Sequence, residues 1–197
     1  MAATLKVYYD WGGSDSSPGT AHNVTDNGSN KIRFKTEDDA TLDSNNPIPV
    51  PTSGTNRSFW KQVYMFCSTT GGALTKIDNI KFYSDGAAFS GYTGVDLMVG
   101  TTTTTKASST STGYNLAVGT SGTTGTVMTS HSGISATANA TTYTSASPLS
   151  VGISQAGSQI DAINETTNYV VLQLNVANTA SSGTLAAETL TFRYDEV

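Results

Sequence analysis

The chain has 197 residues, a formal net charge of -5 and a pI of about 4.8. Charged residues make up only 13% of it and hydrophobic residues 37%, both below the usual levels of globular proteins. An acidic chain without a basic stripe is not expected to bind nucleic acid, and so small a net charge argues against disorder. The 19 glycines and the many Thr, Ser and Asn residues favour one all-β domain over residues 1–197, with long polar loops.

The N-terminus has no basic region followed by an apolar stretch, so no secretory signal is expected. No segment approaches the ~20 apolar residues of a transmembrane helix, so no membrane partner is expected either. These features predict a protein that is made in a cytoplasm and is not exported by the general route. The single cysteine, Cys67, lies in an apolar run, which predicts a buried and unreactive thiol.

Alternating apolar residues predict four strands in the first half of the chain. They cover residues 4–10, 31–37, 59–67 and 77–84. Ile32 and Phe34 are the core residues of the second strand. The third is apolar on both faces, which predicts a central position. The proline-rich stretch 47–51 cannot donate hydrogen bonds at alternate positions, so it is expected to form a rim or an edge crossing.

The second half begins with a strand at Val95 that can continue through the five threonines 101–105. Residues 100–147 form an excursion rich in Thr, Ser and Gly, in which Tyr114, Leu116 and Val118 alternate. Leu149, Val151 and Ile153 share one face of a further strand. Residues 155–167 hold the one predicted helical turn, with Ile160 and Ile163 three positions apart.

The densest alternation lies at the end of the chain, where residues 168–195 predict a long hairpin. The first arm places Leu172 and Leu174 on one face, and the second does the same with Leu190 and Phe192. The two arms are expected to pair and to brace the centre of the fold. About nine or ten short strands in total predict an antiparallel β-sandwich, most simply of jelly-roll type.

Metal sites have little support in the sequence. A transition-metal site needs three or four protein ligands, and the chain offers only His22, His131 and Cys67 far apart. Calcium is the better candidate, since Asp38, Asp39 and Asp43 supply hard oxygen ligands on one loop. They lack the spacing of a calcium-binding loop, so a solvated acidic loop is the favoured interpretation.

No catalytic motif is complete. The sequence around Ser154 lacks the second glycine of a nucleophile elbow and the helix that should follow it. The glycine-rich run 119–126 lacks the Lys-Ser/Thr of a phosphate loop. Paired carboxylates of a glycosidase remain open, because their pairing is spatial. The expectation is a protein that is not an enzyme and has no cofactor.

Interface candidates are the aromatic residues expected in loops and the prolines of the rim. Trp60, Phe66 and Phe82 are instead expected in the core. Loop aromatics can stack on sugars, and they serve protein interfaces equally well. The candidates are Trp11, Tyr92, Tyr143, Pro47, Pro49 and Pro51.

Two pairs of segments resemble uncharacterised virion proteins of tailed phages. The first pair is Phe-Trp-Lys-Gln-Val-Tyr-Met-Phe at 59–66 and Lys-Ile-Asp-Asn-Ile-Lys-Phe-Tyr-Ser-Asp-Gly at 76–86. The second is Tyr-Val-Val-Leu-Gln-Leu at 169–174 and Thr-Leu-Thr-Phe-Arg-Tyr-Asp-Glu at 189–196. Together they cover at most a third of the chain, and they imply no catalytic residues.

This resemblance implies a virion structural protein, foremost a capsid decoration or cement protein assembled in the host cytoplasm. Its partners would be the major capsid protein or other virion proteins, and it would form a trimer or dimer. A tail or neck component is the nearest variant. A carbohydrate-binding or adhesin module is the competing class, motivated by the loop aromatics.

Overall fold

The computed structural model describes residues 2–14, 17–26, 31–36, 41, 44–72, 74, 76–105, 127–130 and 133–197, except for the side chains of 11–14, 17–20, 103–105 and 130. These residues form ten strands and three short 3-10 helices, with no α-helix among them. The strands are β1 Thr4–Ser14, β2 Ser17–Asn23, β3 Thr55–Arg57, β4 Lys61–Thr69, β5 Ile77–Ser84, β6 Val95–Thr105, β7 Ile134–Asn139, β8 Leu149–Ser150, β9 Asn168–Ala177 and β10 Leu190–Glu196.

The strands form two antiparallel sheets that pack face to face. The large sheet has the order β2-β1-β4-β9-β6-β7, and β3 also pairs with β9. The small sheet has the order β10-β5-β8. The prediction of an all-β antiparallel sandwich is therefore confirmed, whereas the jelly-roll type stays a prediction.

The predicted terminal hairpin is wrong in its pairing. β9 lies inside the large sheet between β4 and β6, whereas β10 pairs with β5 at the edge of the small sheet. The segment 178–189 carries the chain from one sheet to the other. Phe192 contacts Phe82 edge to face, with 4.9 Å between ring centroids. Alternation shows which face of a strand is buried, but two such strands can pair side by side or face each other across a core.

One further prediction of local structure is wrong, and another is confirmed only in part. Residues 31–36 form no strand; the Lys35 carbonyl accepts one backbone hydrogen bond and the Thr36 amide donates another, with no continuous ladder. Ile32 and Phe34 nevertheless pack against the core, as expected. The predicted helical turn over 155–167 is only the 3-10 helix Ala156–Ser158, and Ile163 is 56% exposed while Ile160 is buried.

The main core fills the space between the sheets. β9 supplies Val170, Leu172, Leu174 and Val176, all on its inner face as the alternation predicts. Valine and other β-branched residues suit this pleated, covered position. The predicted burial of Trp60, Phe82 and Cys67 is confirmed, Leu149, Val151 and Ile153 are buried too, and Phe66 is half-buried.

A second apolar cluster covers the outer face of the large sheet. It contains Trp60, Tyr64 and Tyr169, together with Met128 from the 3-10 helix Met128–Ser130. This helix and the start of β7 approach β6 closely at Gly100. A Cβ atom there would lie 2.6 Å from Cγ2 of Ile134. The large sheet is therefore covered on both faces, which explains the continuous burial of β4 and β9.

Candidate functional site

The proline-rich stretch forms a rim at one end of the sandwich, where β9 ends and β3 begins. We call this end the rim end. The buried Asn56 side chain donates a 2.7 Å hydrogen bond from Nδ2 to the Pro49 carbonyl, which ties the rim to β3. Pro47, Pro49 and Val50 are exposed, whereas Pro51 is buried. The exposed rim therefore offers a small apolar surface without a regular β-ladder.

The opposite end of the sandwich, where a turn joins β4 to β5, also exposes apolar side chains. We call it the turn end. Ile163 is 56% exposed and Val197 is 63% exposed. Lys76 and Val197 exchange two backbone hydrogen bonds of 3.0 Å. The Ala3 amide donates a 2.7 Å hydrogen bond to Oε1 of Glu196, so both ends of the described chain meet here.

An open cavity of about 1070 Å³ lies at the rim end, beside the segments 31–35, 44–50 and 181–189. Its accessible apolar walls are the half-buried side chains of Ile32, Phe34, Leu185 and Phe192. Leu97, Leu172 and Phe82 lie beneath them, are at most 2% exposed and belong to the packed core. Sites for small ligands usually measure roughly 300–1,000 Å³ and are mainly apolar. The cavity is at the upper end of that range.

The segment 31–35 forms one side of the cavity mouth. Ile32 and Phe34 turn towards the core, while Lys31 and Arg33 are exposed beside the opening. Lys35 also lines the cavity and is only 3% exposed. Among the described residues that line the cavity, three are basic and one is acidic. The described part of its lining thus carries more positive than negative charge, although the whole chain is negative.

The segment 181–189, which we call the strap, crosses the other side of the mouth. The Ala186 amide donates a 2.8 Å hydrogen bond to the Tyr92 hydroxyl. The Glu188 carboxylate accepts a 3.1 Å hydrogen bond from the Phe89 amide. Leu185 packs against the main core. The strap is therefore held by two polar contacts and one apolar anchor, while most of its residues are exposed.

Among the candidate loop aromatics, Tyr92 and Tyr143 lie in loops as expected, whereas Trp11 does not. Trp11 belongs to β1, where it pairs with Thr20 of β2, so the prediction of a loop position is wrong; its side chain is outside the described part of the chain. Tyr92 and Tyr143 are half-buried against the core. The Tyr143 hydroxyl donates a hydrogen bond to the Ala136 carbonyl. These two rings therefore pack against the core. Their role in an interface stays a prediction.

A buried polar group lies within the outer apolar cluster. The Asp10 carboxylate is fully buried and accepts hydrogen bonds from Tyr169, at 2.7 Å, and from Tyr64, at 3.4 Å. Burial, reinforced by the Asp10 charge, raises the pKa of both tyrosine hydroxyls well above its usual range. This arrangement keeps the tyrosines protonated as donors. Nothing in the sequence pattern distinguished Asp10 from a residue at a strand end.

Several of the candidate metal and catalytic residues lie outside the part of the chain that the structure describes. Asp38, Asp39, Asp43 and His131 lie outside the described residues, as do Tyr114, Leu116, Val118 and residues 119–126. Within the described part of the chain, no group of three or more His, Cys, Asp and Glu residues could hold a metal ion. The Ser154 hydroxyl donates a 2.8 Å hydrogen bond to Oδ1 of Asn168. The Cys67 thiol is buried, and burial raises its pKa.

No family of proteins, no curated protein and no solved structure matches this chain. Over the described residues, no helix is long and apolar enough to cross a membrane. The features that indicate a function are therefore the two ends of the sandwich and the cavity. The sequence identified the rim prolines and singled out Tyr92 as a loop aromatic, but it gave no sign of the cavity, of the strap or of the contact that Glu188 makes there.

Proposed function

We propose that this chain is a non-enzymatic structural protein of a tailed-phage particle, binding the outer head lattice as a decoration protein. The observation that carries the proposal is the position of the exposed apolar side chains. Val50, Ile163 and Val197 are the exposed large hydrophobic residues of the described chain. Val50 lies at the rim end, and the other two lie at the turn end.

Contact points at both ends suit a protein that bridges neighbours. A group of exposed apolar residues with a polar surround can mark a protein–protein contact site, and Pro47, Pro49 and Val50 form a small group of this kind at the rim end. The core between these ends is a two-sheet sandwich with one sheet covered on both faces. A rigid body of this kind can hold one neighbour at each end without a change in its own fold. The low charge of the chain also suits contacts made through apolar and hydroxyl side chains.

The resemblance to virion proteins gives the partner class. Its four segments correspond to β4, β5, β9 and β10, which together form the inner walls of the sandwich. The resemblance therefore concerns the scaffold, and the two ends are the parts free to contact a capsid protein or a second copy of the chain. A trimer or dimer on the head lattice is the assembly that we propose.

The test is an add-back experiment with particles that lack the chain. Purified protein should sediment with heads and saturate at a fixed copy number per head. Val50→Asp and Ile163→Asp should each weaken this binding, because a charge would be buried at the contact. Ser150→Asp, an exposed position on β8, is the matched control. Binding to isolated tails but not to heads would instead support a tail or neck component, and binding to neither would contradict the proposal.

A further inference from the structure

We propose that this chain forms a symmetric dimer in which the free edges of two β10 strands pair antiparallel and join the two small sheets into one. The inference goes beyond the proposed role in a virion, because the dimer forms in solution without any other partner. It rests on the backbone groups of β10, on the open space beside it and on the charges that it carries.

The free edge of β10 carries unpaired backbone groups. β10 is the last strand of the small sheet and pairs with β5 alone. Val197 exchanges two backbone hydrogen bonds with Lys76, so odd-numbered residues of this segment face β5. The direction alternates along an antiparallel strand, and the even-numbered residues therefore direct their N–H and C=O groups to the free edge. No described residue bonds to these groups, which belong to Leu190, Phe192, Tyr194 and Glu196.

β10 is regular and accessible along this edge. The irregularity in its pairing falls on β5, where Asn79 has φ of 52°. Leu190 and Phe192 line the open cavity at the rim end, so this half of the edge borders open space. Two other edge strands are protected, since β8 has only two residues and the Tyr143 hydroxyl occupies the Ala136 carbonyl of β7. Short or covered edges resist pairing with another chain, and the seven residues of β10 are neither.

The charges of β10 fit a second copy of the same strand. When Tyr194 lies opposite Tyr194 of the second copy, Arg193 of each chain lies opposite Asp195 of the other. Both side chains are exposed, and within the described part of the chain neither belongs to an ion pair. Opposite charges on directly opposite residues stabilise a strand pair, and like charges destabilise it. Centring the pair one residue earlier or later would place Arg193 or Asp195 opposite itself.

The same register satisfies the backbone. Tyr194 is one of the residues whose groups point to the free edge, so its two copies exchange both backbone hydrogen bonds at the symmetry axis. Arg193 and Asp195 then form the non-hydrogen-bonded pairs, in which opposite residues of antiparallel strands approach most closely. Phe192 and Tyr194 stay packed against the main core. A two-fold axis that uses one surface of both copies is the commonest symmetry of homo-oligomers.

Charge reversal tests this interface in the purified full chain, with sedimentation equilibrium as the measurement of the dimer. Arg193→Asp and Asp195→Arg each place like charges opposite each other and should raise the dissociation constant at least ~10-fold. The double variant exchanges the two charges and should restore the dimer. Asp161→Arg is the matched control, because Asp161 is exposed next to Ile160, which bonds to β5 on the side away from β10. It should leave the dissociation constant unchanged.

A single cysteine tests the register. Tyr194→Cys should form a disulfide-linked dimer on oxidation, because the axis brings its two copies to a suitable distance. Thr191→Cys should not, because its two copies lie roughly 20 Å apart along the strands. Where a charge variant does not melt cooperatively, the cysteine variants decide. A monomeric protein, a double variant no better than the single variants, or equal cross-linking at both positions would overturn the dimer through β10.

Discussion

The hydroxyl of Tyr169 donates a 2.7 Å hydrogen bond to the Asp10 carboxylate, joining residues that are 159 positions apart in the chain. The bond links β9 to β1 across the intervening strand β4, which supplies the second donor, Tyr64. The rings of Tyr64 and Tyr169 meet edge to face at 5.4 Å. Three strands are thereby fixed relative to one another around one buried carboxylate.

Tyr169→Phe tests this relationship. The variant removes a hydrogen bond to a charged group and leaves the buried carboxylate with fewer donors. The free energy of unfolding should therefore fall by about 1.5–3 kcal/mol. Tyr83→Phe, at a half-buried tyrosine of β5, is the matched control and should have little effect. Urea denaturation of the two variants measures the difference, and equal losses would contradict a special role for Tyr169.

The same variant should change the pH dependence of stability. The pKa values of Tyr64 and Tyr169 are raised in the folded protein by burial, with a further contribution from Asp10. In the unfolded chain these hydroxyls ionise near pH ~10. The contribution of these groups to stability is therefore fully present below that pH and is lost as the pH rises above it. Tyr169→Phe should remove one of the two contributions.

The inner face of β9 should dominate the stability of the sandwich. Leu172 is fully buried and Leu174 is 4% exposed. Substituting either by Ala leaves a cavity and should cost about 2–5 kcal/mol of unfolding free energy. Ile163→Ala at the exposed turn end is the control and should cost far less. Mild effects at both leucines would contradict the central position of β9.

Engineered disulfides can test the sheet to which β10 belongs. Tyr83 and Thr191 are directly opposite each other in the β5–β10 pair. Cysteines at these two positions should cross-link on oxidation, since the distance between opposite residues on paired strands suits a disulfide. Cysteines at Gln173 and Thr191 would cross-link only if β9 and β10 were paired. Non-reducing mass spectrometry of peptides distinguishes these outcomes, and Cys67 is buried and should not interfere.

The strap should be released by loss of its polar contacts. Tyr92→Phe removes the acceptor of the Ala186 amide, a contact worth ~1 kcal/mol. Hydrogen exchange in residues 184–188 should then become about five-fold faster. Tyr143→Phe removes a hydroxyl that bonds to Ala136 instead, and should leave the strap unchanged. Equal exchange in both variants would show that the Tyr92 hydroxyl does not hold the strap.

The sequence was a good guide to which residues are buried and a poor guide to which strands meet. Alternation in β9 identified Leu172 and Leu174 as core residues, because burial of one face leaves a period of two. It could not reveal that Phe192 lies across the core from β9, since pairing in a sheet and packing between sheets leave the same pattern. The polar contact between Asp10 and Tyr169 and the open cavity at the rim end depend on such long-range placement, so neither was predictable.

The most direct test of the account is whether this chain occupies a position in the phage particle that we propose contains it. Cryo-electron microscopy of purified virions should show the two-sheet sandwich at a repeating position on the outer head lattice, with the rim end and the turn end each contacting a neighbouring subunit. Virions whose head lattice carries no density for the chain would contradict the central claim.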